Sequence, residues 1–151
     1  MKDNITINSA TKTDLAAITA LLQKTDLPPD GIEPHLENFL IIRDSSSSKD
    51  SERIIGCAGL EIYGKSALLR SVAIHPDFQK EGYGTSLVNR IIELARRKDI
   101  TKLFLLTNTA EEYFKKKGFN IVLRDQVPDD MKESVEFKVL CTSSPVMMKE
   151  I

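Results

Sequence analysis

The stretch from Leu68 to Gly84 combines residue types and a spacing that suit phosphate binding. An apolar run ends at His75-Pro76, a short polar loop follows, and Gly82 and Gly84 stand where a helical pattern begins. The first N–H groups of a helix lack intrahelical acceptors, and the helix dipole adds partial positive charge there. Glycine lets an anion approach the backbone closely because it has no Cβ. The segment therefore predicts a binding site for a phosphate or pyrophosphate.

Two common phosphate-binding motifs do not fit this loop. A P-loop requires G-x-x-x-x-G-K-[ST], and the sequence contains no such run. A dinucleotide fingerprint requires G-x-G-x-x-G, but Leu87 occupies the third glycine position. What remains is Gln79-x-x-Gly82-x-Gly84 between a strand and a helix. An ordinary glycine-rich turn is the alternative interpretation.

A second candidate for chemistry is Arg70, inside the apolar strand. Strict alternation places Leu68, Arg70, Val72 and Ile74 on one face, which puts a guanidinium among apolar side chains. A buried arginine is costly unless an anion accompanies it. Two partners are considered, Glu61 on the preceding strand or the carboxylate of an amino-acid-like substrate held bidentately.

The bulk composition indicates one globular domain spanning residues 1–151. The chain is 41% hydrophobic and 28% charged with a net charge of −1, so no broad basic field is present to attract nucleic acid or a membrane surface. The N-terminus lacks the apolar core of a secretory signal. Cys57 and Cys141 are far apart and form no metal-like cluster with His35 or His75. We therefore expect a cytoplasmic protein with reduced thiols and no metal.

Hydrophobic periodicity predicts alternating strands and helices. Strands are predicted at Asn4–Asn8, Phe39–Arg43, 53–63, 67–74, Leu103–Leu106, Ile121–Leu123 and Glu136–Cys141, with a further one at Pro145–Lys149 left open. Helices are predicted after a cap at Thr11 or Thr13, at Glu33–Asn38, from Gly84 onward, and at 110–117 with Gly118 as its C′ residue. The polar run Asp44–Ser51 predicts a hairpin loop. This order predicts a three-layer α/β sandwich around a mixed sheet.

The element order, the Gln79-x-x-Gly82-x-Gly84 motif and the Lys117-Gly118-Phe119 element resemble the GNAT N-acetyltransferase superfamily over nearly the whole chain. The resemblance implies the GNAT-type sandwich, in which the central strands splay and helices cover both faces of the sheet. It also implies acetyl-CoA as the cosubstrate.

The resemblance further implies contacts for each part of the coenzyme. The pantetheine arm would pair, like an added strand, with the backbone of Val72, Ala73 and Ile74. The pyrophosphate would be held by the main-chain amides of Lys80, Gly82, Tyr83, Gly84 and Thr85. Gln79 would brace this loop, and Asn108, after the fifth strand, would contact the pantetheine.

The general acid common in this superfamily is missing from its usual position. Many members carry a tyrosine five residues before the Phe of the Gly-Phe pair, and here that position is Phe114. Tyr113 lies about 100° away around the helix; it is a candidate acid, with a packed aromatic as the alternative. Glu61 is the candidate base, with an ion-pair partner for Arg70 as the alternative. A chain of water molecules is a third route for the proton.

Two narrower likenesses concern the acceptor. Similarity to the acetyltransferase domain of N-acetylglutamate synthases is carried by residues 68–73, 103–108 and 113–119. Similarity to the small acetyltransferases associated with arsenic-resistance operons is carried by Leu27-Pro28, Val127-Pro128 and residues 59–64, 134–137 and 140–141.

The sequence therefore predicts an acetyl-CoA-dependent N-acetyltransferase acting on a small, amino-acid-like amine, whose carboxylate Arg70 would bind. An arsenic-resistance type is preferred over a glutamate acetylase. A catalytically silent acyl-CoA-binding module is the alternative that the missing tyrosine favours, and acetylation of a protein N-terminus or lysine stays open. The oligomeric state is also open, with a homodimer as one expectation.

Overall fold

The computed structural model describes residues 4–45, 53–140 and 143–151. Most of the predicted hairpin loop at Asp44–Ser51, and Cys141, lie outside these residues. The chain divides into two compact units, one made of Met1–Leu60 and Ser71–Glu93 and the other of Glu61–Arg70 and Leu94–Ile151.

Among the described residues, the first unit contains all or part of four strands and two α-helices. Its elements are β1 (Ile5–Ser9), α1 (Leu15–Lys24), β2 (Phe39–Asp44), most of β3 (Arg53–Tyr63), the end of β4 (Ser66–Ile74) and most of α2 (Tyr83–Arg97). A short 3-10 helix at Glu33–Asn38 precedes β2. Strand β2 pairs with β1 from Leu40–Ser9 to Asp44–Ile5, and with β3 from Phe39–Gly59 to Asp44–Arg53.

The core of the first unit forms where α1 lies against β2. The helix buries Ile18, Leu21 and Leu22 in a cluster that also contains Phe39 and Ile41. Their recurrence at helical spacing gives α1 one apolar face, which must be covered to remove it from water.

Gly59 marks a close approach inside this core. A Cβ there would lie 2.2 Å from Cε1 of Phe39, so only glycine lets the ring pack across the strand.

The second unit contains the remaining strands and a short helix. Its complete elements are β5 (Lys102–Leu106), α3 (Glu111–Lys116), β6 (Asn120–Val122) and β7 (Val146–Glu150). Strand β7 pairs antiparallel with both β5 and β6. Leu68, Phe104, Val127, Met131, Phe137 and Val146 form its buried apolar cluster.

The seven strands follow the order β1-β2-β3-β4-β5-β7-β6. Strands β4 and β5 are parallel, while the pairs β1–β2, β2–β3, β5–β7 and β6–β7 are antiparallel. The predicted mixed α/β sheet is thus confirmed, and the strand left open at Pro145–Lys149 is present as β7, between β5 and β6.

The strand predicted at Glu136–Cys141 is wrong as far as the structure describes it. Residues Glu136–Leu140 form a turn of π-helix. The backbone N–H groups of Phe137 and Lys138 both donate to the carbonyl of Ser134, at 3.0 and 2.9 Å. These local bonds outweigh the alternation of apolar residues that suggested a strand.

Other predicted boundaries agree with the structure. Strand β3 and the short helix at Glu33–Asn38 have the expected limits. Helix α3 ends as predicted at Gly118, which has a φ of +92°, and Phe119 N–H donates to Phe114 O at 3.0 Å. Among the helices of the described residues, none combines the length and the apolar character needed to cross a bilayer.

Candidate functional site

A structured loop in the first unit follows β4 and leads into α2. The His75 N–H donates to Ile55 O at 2.7 Å, and a 3-10 turn covers Pro76–Phe78. The Asp77 N–H donates to His75 Nδ1 at 3.1 Å. Burial, together with the nearby Arg53 guanidinium, lowers the pKa of His75 below its ordinary value of 6.5. The imidazole is therefore neutral at pH 7 and able to accept this bond.

Side chains tie the loop to its surroundings. Gln79 Nε2 donates to Ile74 O at 2.9 Å, which joins the middle of the loop to the strand end. Phe78 packs edge-on against Tyr83 with ring centroids 6.3 Å apart, and Arg53 lies over the Phe78 ring. The buried Tyr83 thus anchors the first turn of α2.

The loop backbone carries main-chain donors without acceptors. Lys80 and Gly82 have left-handed φ values of 66° and 88°. Within the described part of the chain, the N–H groups of Lys80, Gly82, Tyr83 and Gly84 have no hydrogen-bond acceptor, whereas Ser86 N–H donates to Gly82 O at 3.1 Å. Left-handed turns beside a helix N-terminus form a concavity suited to an anion. Thr85, the fifth predicted donor, takes part in another interaction.

The two loop glycines leave space where a ligand would lie. A Cβ on Gly82 would meet no atom within 4 Å, although the left-handed φ itself favours glycine. A Cβ on Gly84 would make an ordinary contact with Ile74 Cγ1 at 3.8 Å. Protein packing therefore does not require glycine at position 84.

Strand β4 contains a kink immediately before the predicted pantetheine segment. Ser71 has a φ of +59°, a conformation that interrupts the pleat. The strict alternation used to place Arg70 with Val72 and Ile74 on one face is therefore interrupted at Ser71, and their common face stays a prediction. Ala73 is buried, while Val72 and Ile74 are half-buried.

The pairing of β4 with β5 involves only the start of β4 in the described register. The partners run from Ser66–Lys102 to Leu68–Phe104, three pairs of a nine-residue strand. Strand β4 continues to Ile74.

The second unit contains a buried cluster centred on Arg70. Its Nη1 lies 2.8 Å from Glu61 Oε2 and its Nε lies 3.1 Å from Glu136 Oε1. The Arg70 and Glu61 side chains are each 1% exposed. Of the two partners left open by the sequence, the structure contains the internal one. Glu136 was not predicted as a partner from the sequence, where the only signal for it was that a buried arginine needs an anion.

Tyr63 completes this cluster. Its hydroxyl donates to Glu61 Oε1, and the Glu136 N–H donates to Ser134 Oγ at 3.2 Å. Burial raises the pKa of Tyr63 above its ordinary value of 10.0, and the hydrogen bond to Glu61 raises it further. Tyr63 is therefore a neutral donor, and both oxygens of Glu61 accept bonds from protein groups.

The remaining predicted residues lie on and before α3. The Tyr113 ring packs against Phe114, with centroids 5.1 Å apart, and Lys117 Nζ lies 5.7 Å from its centre. This is the environment of a packed aromatic residue. Asn108 is exposed, in the turn where Ala110 N–H donates to Thr107 Oγ1 at 3.0 Å.

The described ranges 4–45, 53–140 and 143–151 contain no group of three or more His, Cys, Asp or Glu side chains placed to hold a metal ion.

A mixed sheet with a donor-lined strand-to-helix loop defines a class of α/β proteins that bind phosphorylated ligands. The sequence profile of the acetyltransferase (GNAT) domain matches residues 36–121, more than half of the chain. The chain belongs to the GNAT acetyltransferase family.

Individual relatives extend this match. An amino-acid acetyltransferase from Pasteurella multocida is 28% identical over 148 residues, covering 91% of this chain and 32% of that protein. N-acetylglutamate synthase from Neisseria gonorrhoeae, solved with coenzyme A and N-acetyl-glutamate, superposes with a TM-score of 0.81 at 24% identity, over 99% of this chain and 36% of that one. Rv2747 from Mycobacterium tuberculosis, in a complex containing CoA, superposes with a TM-score of 0.77 at 20% identity, over 97% and 99% of the two chains.

The share of each relative that this chain covers limits what the matches show. This chain spans about a third of the length of the curated relatives it matches. At this identity, the solved structures establish a common fold.

Proposed function

We propose that this chain binds acetyl-CoA and transfers its acetyl group to the amine of a small, amino-acid-like acceptor. One observation carries the proposal: the main-chain donors of Lys80, Gly82, Tyr83 and Gly84 lie together, without acceptors among the described residues, at the start of α2. Membership of the GNAT family and the coenzyme A bound to related structures support it.

In this proposal the coenzyme is positioned by backbone groups. The loop amides hold the pyrophosphate, and the backbone of Val72, Ala73 and Ile74 pairs with the amides of the pantetheine arm. Asn108 is a further proposed pantetheine contact. Fixing the thioester in line with the amine supplies up to about 7–11 kcal/mol of the barrier in well-oriented reactions. Positioning therefore accounts for a large part of the catalysis.

The contacts of the candidate base Glu61 and the candidate acid Tyr113 indicate whether either side chain transfers a proton. Glu61 accepts bonds from Arg70 and Tyr63, so we infer that it serves the ion-pair cluster more than it serves as base. Tyr113 lies in an aromatic pair, which supports packing over acid catalysis. We propose that water carries the proton from the ammonium.

The acceptor is proposed to be an acidic amino acid such as glutamate. The relatives are amino-acid acetyltransferases, and an N-acetylglutamate synthase shares the fold. The arsenic-resistance type preferred from the sequence is not supported by these relatives. Arg70 already binds Glu61 and Glu136, so an acceptor carboxylate would bind it only by displacing or joining one of them.

The direct assay follows free thiol release from acetyl-CoA with glutamate, other amino acids and an amino-terminal peptide as acceptors. We expect release above the acceptor-free rate with glutamate and little with the peptide. Coenzyme binding without turnover for any amine would contradict the proposed activity. It would indicate the catalytically silent acyl-CoA-binding module, the alternative suggested by Phe114 at the position of the usual tyrosine. Faster turnover with the peptide would redirect the proposal to protein acetylation.

A further inference from the structure

We propose that Cys57 is a positioning residue for the coenzyme, because its thiol fixes the left-handed kink at Ser71 that precedes the pantetheine-binding segment. The inference rests on the proposed function, since it concerns the same coenzyme. It assigns a role to Cys57, which was predicted from the sequence only as a reduced thiol.

The kink at Ser71 needs support from its surroundings. Its φ of +59° is sparsely populated by residues other than glycine, and it lies inside a strand. Such a conformation persists when neighbouring contacts determine it. Ser71 is 8% exposed, so its backbone polar groups require partners within the protein.

Cys57 supplies one of these partners. Its Sγ donates to the carbonyl oxygen of Ser71 at 3.2 Å, and its side chain is fully buried. Cys57 lies in β3 and pairs with Ile41 of β2, so its backbone position is set by the sheet. A thiol held in this way fixes where the Ser71 carbonyl points.

A second bond holds the opposite end of the segment. The His75 N–H donates to Ile55 O at 2.7 Å, two residues before Cys57 on the same strand. Residues 72–74 are therefore held at both ends by β3. In this proposal, the backbone of residues 72–74 pairs with the pantetheine arm only while the Ser71 end keeps its kink.

The test compares Cys57→Ser with Cys57→Ala, since serine and alanine have similar volumes but only serine retains a donor. Affinities for acetyl-CoA and for ADP, which has the diphosphate but no pantetheine arm, are measured by calorimetry. We expect the serine variant to bind acetyl-CoA within about twofold of the unmodified protein and the alanine variant to bind about tenfold more weakly. ADP affinity should be the same in both.

The inference is overturned if both variants bind acetyl-CoA equally, or if ADP binding falls in parallel with it. A fall in melting temperature alone, with unchanged acetyl-CoA affinity, would likewise overturn it, because Cys57 would then stabilise the core without positioning the coenzyme. Should the alanine variant not fold, Cys57→Val fills the site without a donor and carries the same expectation. If the unmodified protein binds no acetyl-CoA, the proposed function fails before this comparison begins.

Discussion

Replacing Gly82 with valine is expected to weaken acetyl-CoA binding by about two orders of magnitude or more, because at least two charge-assisted backbone bonds to the pyrophosphate would be lost. A Cβ at this position points into open space, where the ligand would lie, and meets no protein atom within 4 Å. The branched side chain would keep an anion from the N–H groups of the loop. Calorimetric titration with acetyl-CoA measures the effect.

Backbone strain must be separated from this loss. Gly64, in the turn between β3 and β4, also has a left-handed φ, +63°, and open space around its Cβ position. Gly64→Val should therefore cost a similar amount of stability, about 1–3 kcal/mol, and leave coenzyme affinity unchanged. Gly84→Ala adds a second comparison, because the protein accommodates that Cβ at 3.8 Å from Ile74. Unchanged affinity in both Gly82→Val and Gly84→Ala would refute the assignment of the loop.

Arg70→Ala is expected to lower the free energy of unfolding by about 3–5 kcal/mol, since it leaves two carboxylates buried without their cation. Glu61 lies 2.8 Å and Glu136 3.1 Å from the guanidinium. Urea denaturation followed by circular dichroism measures the change, and failure of the variant to fold would be the extreme form of the same result.

An exposed ion pair provides the control for Arg70. Lys138 Nζ lies 2.7 Å from Glu133 Oε1, but both side chains are more than half exposed. Lys138→Ala should change stability by no more than about 0.5 kcal/mol. A loss below about 1 kcal/mol for Arg70→Ala would contradict the structural role of the cluster; a raised acceptor KM would then favour the carboxylate clamp.

Local patterns in the sequence were sufficient to predict much of the fold. The apolar run of β3 and the glycine that ends α3 are short-range signals, and both were located correctly. The strand predicted at Glu136–Cys141 failed because apolar alternation does not reveal the turn that Ser134 starts. The side-chain pattern there allows either a strand or a helical turn. The hydrogen bonds from Phe137 and Lys138 to the Ser134 carbonyl favour the turn.

The candidate site was predictable where it depends on contiguous residues. Gln79, Gly82 and Gly84 define the loop by their spacing alone. The kink at Ser71 was missed because serine has no strong preference for a left-handed conformation, and a distant cysteine bonds to it. Glu136 was missed for a similar reason: it meets Arg70 only through the folding of a segment 66 residues away in sequence.

The central claim is that main-chain donors at the start of α2 bind the coenzyme's diphosphate. An amide proton-nitrogen correlation spectrum recorded during titration with coenzyme A tests it most directly. We expect the largest shifts at the amides of Lys80, Gly82, Tyr83 and Gly84, moving downfield as each proton gains a charged acceptor. Saturable binding with these four resonances unmoved would contradict it.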